Sequence, residues 1–179
     1  YDFTVVSMRE RGLAIIHNQE RFFEGEKVFD LTLLDTALRE TWQTELPVEA
    51  GHKFIGYEYM PGFLFLLYRV GDMDFGDLYL TSVDIATHAI ENYKIKHEFN
   101  FKLSHFFMVG NSAIFGGHIN KESSVVIFRL DTRRAKVVPG FFLHNSDLLD
   151  LKTNENNTFN ALLLEDLPSG KNNLVLRTY

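Results

Sequence analysis

The chain has 179 residues, no cysteine and a formal net charge of −6. The missing cysteines exclude a disulfide framework, a thiolate metal site and a cysteine nucleophile. The acidic balance argues against a nucleic-acid partner, which needs a basic surface, and no basic patch is visible. Seventeen Phe and seven Tyr suit pleated sheet surfaces better than helix interiors. With only four Pro and no low-complexity stretch, the composition is that of an ordered domain. No run approaches the ~18 apolar residues of a membrane helix, and no signal-peptide pattern is present.

In chain order, the first unit, approximately 1–50, offers strands over 2–10, 12–19, 27–35 and 38–46. The run Val28-Phe29-Asp30-Leu31-Thr32-Leu33-Leu34 ends in Asp35, and Trp42 follows. The second unit, approximately 51–99, offers strands over 52–60, 63–70, 77–84 and 88–96. Its run Leu78-Tyr79-Leu80-Thr81-Ser82-Val83 ends in Asp84. The stretch from Ile85 to Ile95 could also support a helical turn or two, but no cap accompanies it. The third unit, approximately 100–145, offers strands over 102–109, 112–119, 124–131 and 135–142, with Asp131 closing the third. The fourth, approximately 146–179, offers 147–154, 158–166 and 172–179, and holds no residues for an outer strand.

Two markers keep one period. The strand-ending Asp residues 35, 84 and 131 are spaced by 49 and 47 residues. The turn residues Gly12, Gly62, Asn111 and Asn157 are spaced by 50, 49 and 46. Asp suits the first position of a tight turn because its carboxylate accepts backbone N–H bonds there. Internal repetition at such a period marks solenoids and propellers. Phe63-Leu64-Phe65-Leu66-Leu67-Tyr68 and Phe106-Phe107-Met108-Val109 are apolar without alternation, so these strands are expected to be buried on both faces. A radial stack of sheets does this. The fold class is therefore all-β: consecutive four-stranded antiparallel blades of a β-propeller, about three and a half of them.

The third unit resembles a kelch blade. It has Ala113-Ile114-Phe115-Gly116-Gly117 where kelch repeats place a glycine pair, then Phe128-Arg129-Leu130-Asp131 like their third strand. The other units lack the glycine pair. Gly116-Gly117 admits either close approach of a ligand or close packing of a neighbour, and packing is the plainer reading. Trp42 is expected to be wedged between blades.

Chemical signals are sparse. Asp72, Asp74 and Asp77 bring three carboxylates together in the loop Gly71–Asp77; they read as a solvated hairpin or as a calcium site, whose hard cation takes several oxygen ligands. The spacing fails the helix-loop-helix calcium pattern. Seven histidines are scattered without metal-ligand spacing, His118 lying near a strand end. No Gly-x-Ser-x-Gly, Walker loop or dinucleotide fingerprint is present. Asn156-Asn157-Thr158 fits a glycosylation acceptor and equally an ordinary turn.

Two functions compete. One is a non-catalytic scaffold that binds a protein or glycan ligand through loops at the ends of the stack. The other is a propeller hydrolase or lyase whose acids converge on the central channel, with Glu10, Glu58 and His105 on or near the first strands as candidates. Three and a half blades do not close a ring, so the end blades are expected to expose apolar faces. The chain is therefore expected to be an excerpt, starting on Tyr1, of a propeller of roughly six to eight blades, the remaining blades of the same chain being its first partners. The composition resembles that of bacterial surface or periplasmic repeat proteins, which implies an extracytoplasmic location.

Overall fold

The computed structural model describes residues 3–23, 26–49, 51–71, 74–96, 101–141 and 145–179. These residues form four antiparallel sheets in which strand order follows chain order. The first holds β1 (Phe3–Ser7), β2 (Leu13–Phe23), β3 (Glu26–Leu34) and β4 (Glu40–Glu49). The second holds β5 (His52–Met60), β6 (Phe63–Val70), β7 (Leu78–Asp84) and β8 (Ile90–Ile95). The third holds β9 (Phe101–Val109), β10 (Ser112–Ile119), β11 (Glu122–Arg129) and β12 (Arg134–Val137). The last has three strands, β13 (Ser146–Thr153), β14 (Phe159–Asp166) and β15 (Asn172–Thr178).

Side-chain alternation explains the unbroken apolar runs. On β6, Leu64, Leu66 and Tyr68 pack toward the first sheet, against Phe29, Leu31 and Leu33. Phe65 and Leu67 point the other way, into a core shared with Ala113, Phe115 and Phe128 of the third sheet. On β10, Ile114 faces the last sheet, where it meets Leu151, Ala161 and Leu163. The hydrophobic core is thus three slabs, one in each gap between successive sheets. A strand with period-2 geometry must then be apolar at every position.

The repeated aspartates do what their position demands. Asp35 Oδ1 accepts from the backbone N–H of Ala37 (2.8 Å) and Arg39 (2.9 Å). Asp84 Oδ1 accepts from Ala86 (2.8 Å) and Thr87 (2.9 Å). Asp131 Oδ1 accepts from Thr132 at 2.7 Å. Hydrogen bonds to the ionised form hold the carboxyls of Asp35 and Asp84 below the usual carboxylate range; for Asp131 the Arg129 guanidinium is the largest cause.

Two sequence expectations need correction. The first strand of the first sheet stops at Ser7, and a 3-10 turn at Arg9–Arg11 takes up the rest. The outer strand of the third sheet ends at Val137, short of residue 142. Pro139 has no N–H to offer a neighbouring strand, and Gly140 turns the chain with φ +91°. The helical alternative over residues 85–95 gives way to a turn and then β8.

Candidate functional site

The first strands of successive sheets approach one another, β5 against β9 and β9 against β13. Each of these three strands carries a β-bulge at the same point of the repeat. Register shifts fall between Phe54 and Gly56, between Leu103 and His105, and between Leu148 and Asp150, leaving Ile55, Ser104 and Leu149 as the extra residues. A bulge sets two residues against one and re-aims the side chain that follows. The residues that follow are Gly56, His105 and Asp150.

His105 and Asp150 consequently meet across the gap between sheets, with Nε2 3.7 Å from Oδ1. Ser104 Oγ lies 2.8 Å from His105 Nδ1 and 3.2 Å from the Gly116 carbonyl oxygen. The carbonyl oxygen only accepts, and the direction of the Ser104–His105 bond follows the imidazole tautomer: a proton on Nδ1 is donated to Ser104 Oγ, whereas a proton on Nε2 leaves Nδ1 to accept from the serine hydroxyl. Nε2, on the far side of the ring, faces Asp150.

The glycine pair positions this trio. A Cβ at Gly116 would collide with the Leu151 side chain and lie 3.1 Å from Leu148 Cδ2 and 3.2 Å from His105 Cβ. Absence of a side chain at 116 is what lets β13 close on the third sheet, and Ser123 Oγ, fully buried, accepts the Leu148 N–H at 2.7 Å. Packing of a neighbour, the plainer reading of the pair, therefore holds. Trp42 likewise lies between blades, stacked on His88 at 4.2 Å with the rings 3° from parallel.

The inner strands enclose two adjoining clefts. One, of about 390 Å³, is lined by Glu58, Ser104, His105, Phe106, Leu151 and Lys152. The other, of about 340 Å³, has Tyr57 and Arg69 among its walls and shares Ser104 and His105 with the first. Burial pushes the Glu58 carboxyl above the usual range, and the positive charge of Arg9 opposes that shift. Of the sequence-predicted residues, Glu58 and His105 share one cleft. Glu10 sits exposed on the 3-10 turn beyond β1. Asp72 lies outside the described residues. Asp74 faces Arg69 (3.7 Å) and Lys102 (3.4 Å), cations that a bound calcium would have to displace, and the Asp77 carbonyl accepts the Val70 N–H at 2.9 Å. Among the described residues, no three His, Asp or Glu side chains gather to hold a metal ion. No helix among them is long and apolar enough to cross a membrane. Ser104, Asp150, Lys152 and Arg69 were not singled out from the sequence. His105 lies six residues before the turn marker Asn111 and Asp150 seven before Asn157, so aligning the units on their turn markers does not bring the two together, and it is the bulges that do.

Sheets in chain order, each sharing a core with the next and brought together along their first strands, are consecutive blades of a β-propeller. A solved structure agrees: one from a structural and mechanistic study of two prolyl endopeptidases, concerned with the role of inter-domain dynamics in catalysis and specificity, matches with a TM-score of 0.51. The match is 12% identical and covers 92% of this chain but 23% of that one. Similarity at that level is similarity of fold, and this chain spans about a quarter of the matched protein's length. No protein-family model and no curated protein matches the sequence.

Proposed function

We propose that this chain is part of a non-catalytic β-propeller scaffold that binds a protein or glycan ligand at its inner strands, with the third blade built on a kelch-like pattern. The observation that carries the reading is the convergence of Glu58, Ser104, His105 and Lys152 on one open cleft, where Ser104 and His105 are engaged in structural hydrogen bonds. A cleft of this kind offers donors, acceptors and an aromatic wall (Phe106) for recognition. Hydrolysis by paired acids needs two carboxyls across one bond, and Glu58 is the one carboxylate among this cleft's described lining residues.

The same reading assigns the two end faces of the stack to further blades. Leu174 and Leu176 of β15 are 68% and 65% exposed, opposite Leu164 and Leu162 of β14. At the other end Phe3 and Val5 are 53% and 55% exposed. These positions belong to faces that, in the sheets between, are buried against a neighbour.

Arrays of immobilised glycans and peptides, probed with the wild-type chain and with Glu58→Gln and His105→Ala, test the proposal. Binding that both substitutions weaken supports it. Turnover of chromogenic glycoside, ester or peptide substrates that Glu58→Gln abolishes would overturn it in favour of a hydrolase.

A further inference from the structure

We propose that a second site, at the opposite end of the third blade from the strand 1–2 turns, binds an acidic sugar: a ring with one apolar face that carries a carboxylate or sulfate. The site is an open pocket of about 430 Å³ lined by Phe75, Lys102, His118, Asn120 and Lys121. Lys102 and His118 are direct cross-strand partners on β9 and β10, so their side chains stand on one face. Asn120 and Lys121 form the two-residue turn between β10 and β11, and Phe75 reaches in from the β6–β7 loop of the neighbouring blade.

Three observations point to that chemistry. First, two lysines and a histidine line the pocket and no carboxylate stands among its described lining residues, on a chain whose formal charge is −6; the nearby Asp74 touches only Lys102 of these cations. Second, Asn120 and Lys121 both adopt left-handed backbone, with φ +50° and +74°. Such a turn favours Asn followed by Gly, and a lysine held left-handed at its second position is strained, the kind of strain that accompanies functional positions. Third, the ring of Phe75 is 42% exposed beside those cations, as a stacking platform for an apolar ring face would be. The amide of Asn120 both donates and accepts, which matches hydroxyl groups. Lysine ammonium groups are point charges that meet an anionic group such as a carboxylate or sulfate from any direction. The volume is that of a small-ligand pocket.

Asp74 completes the argument. Its carboxylate lies 3.4 Å from Lys102 Nζ, both groups being exposed. An exposed ion pair is weak, so an incoming anion displaces Asp74 readily, and Asp74 acts as an internal competitor.

The test is a titration of the whole chain, followed by amide chemical shifts, with a glucuronate-containing disaccharide, its neutral counterpart, and sodium sulfate alone. The acidic disaccharide is expected to bind with Kd on the order of 1 mM. Removing both charges (Lys102→Met with Lys121→Met) or the platform (Phe75→Ala) should weaken it roughly tenfold, while Asp74→Asn should tighten it about twofold or more. All four positions are at the surface of loops or strand ends, and an unchanged amide spectrum away from the pocket verifies folding. Equal affinity for the neutral disaccharide, affinity for sulfate alone as high as for the acidic sugar, wild-type binding by the double lysine variant, loss of binding in Asp74→Asn, or no binding at about 50 mM ligand would each overturn the proposal.

Discussion

Tyr68 offers the sharpest test of the packing described above. It is 0% exposed on β6, between the first and second blades, and its hydroxyl oxygen has no hydrogen-bond partner among the described residues. Its ring edges onto Phe29 at 5.3 Å and Phe54 at 5.7 Å, and burial pushes its ionisation well above the ordinary phenol value. A buried hydroxyl that exchanges water for nothing costs about 1–3 kcal/mol. Tyr68→Phe keeps the ring contacts and removes that penalty. The vacated space, roughly one oxygen atom or about 10–15 Å³, returns about 0.3 kcal/mol of cavity cost. The expected result is therefore stabilisation by about 1–2 kcal/mol. In urea unfolding the midpoint should rise at constant slope, and Tm should rise by roughly 2–8 °C for a chain of this size. Destabilisation by about 1 kcal/mol or more would refute the reasoning, because it would mean that the hydroxyl is satisfied and that the gap between blades is looser than close packing requires.

Gly116→Val should destabilise by about 1–3 kcal/mol, read from the urea midpoint, because its side chain meets Leu148, Leu151 and His105 at once. It should also shift the His105 ring resonances, since the His105–Asp150 contact depends on that closeness. Sedimentation velocity should show concentration-dependent self-association of the isolated chain, abolished by Leu174→Lys with Leu176→Lys; a monodisperse wild-type chain would count against further blades covering that face. Asp84 has a folded-state carboxyl held below its ordinary value of 3.8. Its contribution is therefore present above that value and lost as pH falls through the folded one. The stability gap between wild type and Asp84→Ala, measured by urea unfolding, should be wide at about pH 7 and close toward about pH 2.

The architecture was legible in the sequence because it is written in local rules. Asp35, Asp84 and Asp131 mark turns whose N–H groups a carboxylate satisfies, and of the apolar run Phe63–Tyr68 all but the 42% exposed Phe63 lie between two sheets. Strand ends failed where backbone chemistry overrode pattern, as at Pro139 and at the 3-10 turn that separates Glu10 from β1. The site was only half legible. Glu58 and His105 stood out as titratable residues near first strands, and the structure sets both in one cleft. Their companions depend on bulges, and a bulge leaves no composition signature: Ile55, Ser104 and Leu149 share nothing but their place in the register. His118 drew notice for its position near a strand end, but Lys102 reaches it only through the pairing of β9 with β10, and Phe75 comes from the neighbouring blade.

The recurring bulge has an implication for how such a chain diversifies. Glycine, histidine and aspartate occupy the column behind it in three successive blades, while the slabs of core on either side stay apolar. A segment copied and fused in tandem thus inherits its fold from one set of positions and its recognition chemistry from another. The column behind the kink is a socket: its contents can be exchanged blade by blade, by drift or by an engineer, without renegotiating the structure that holds it.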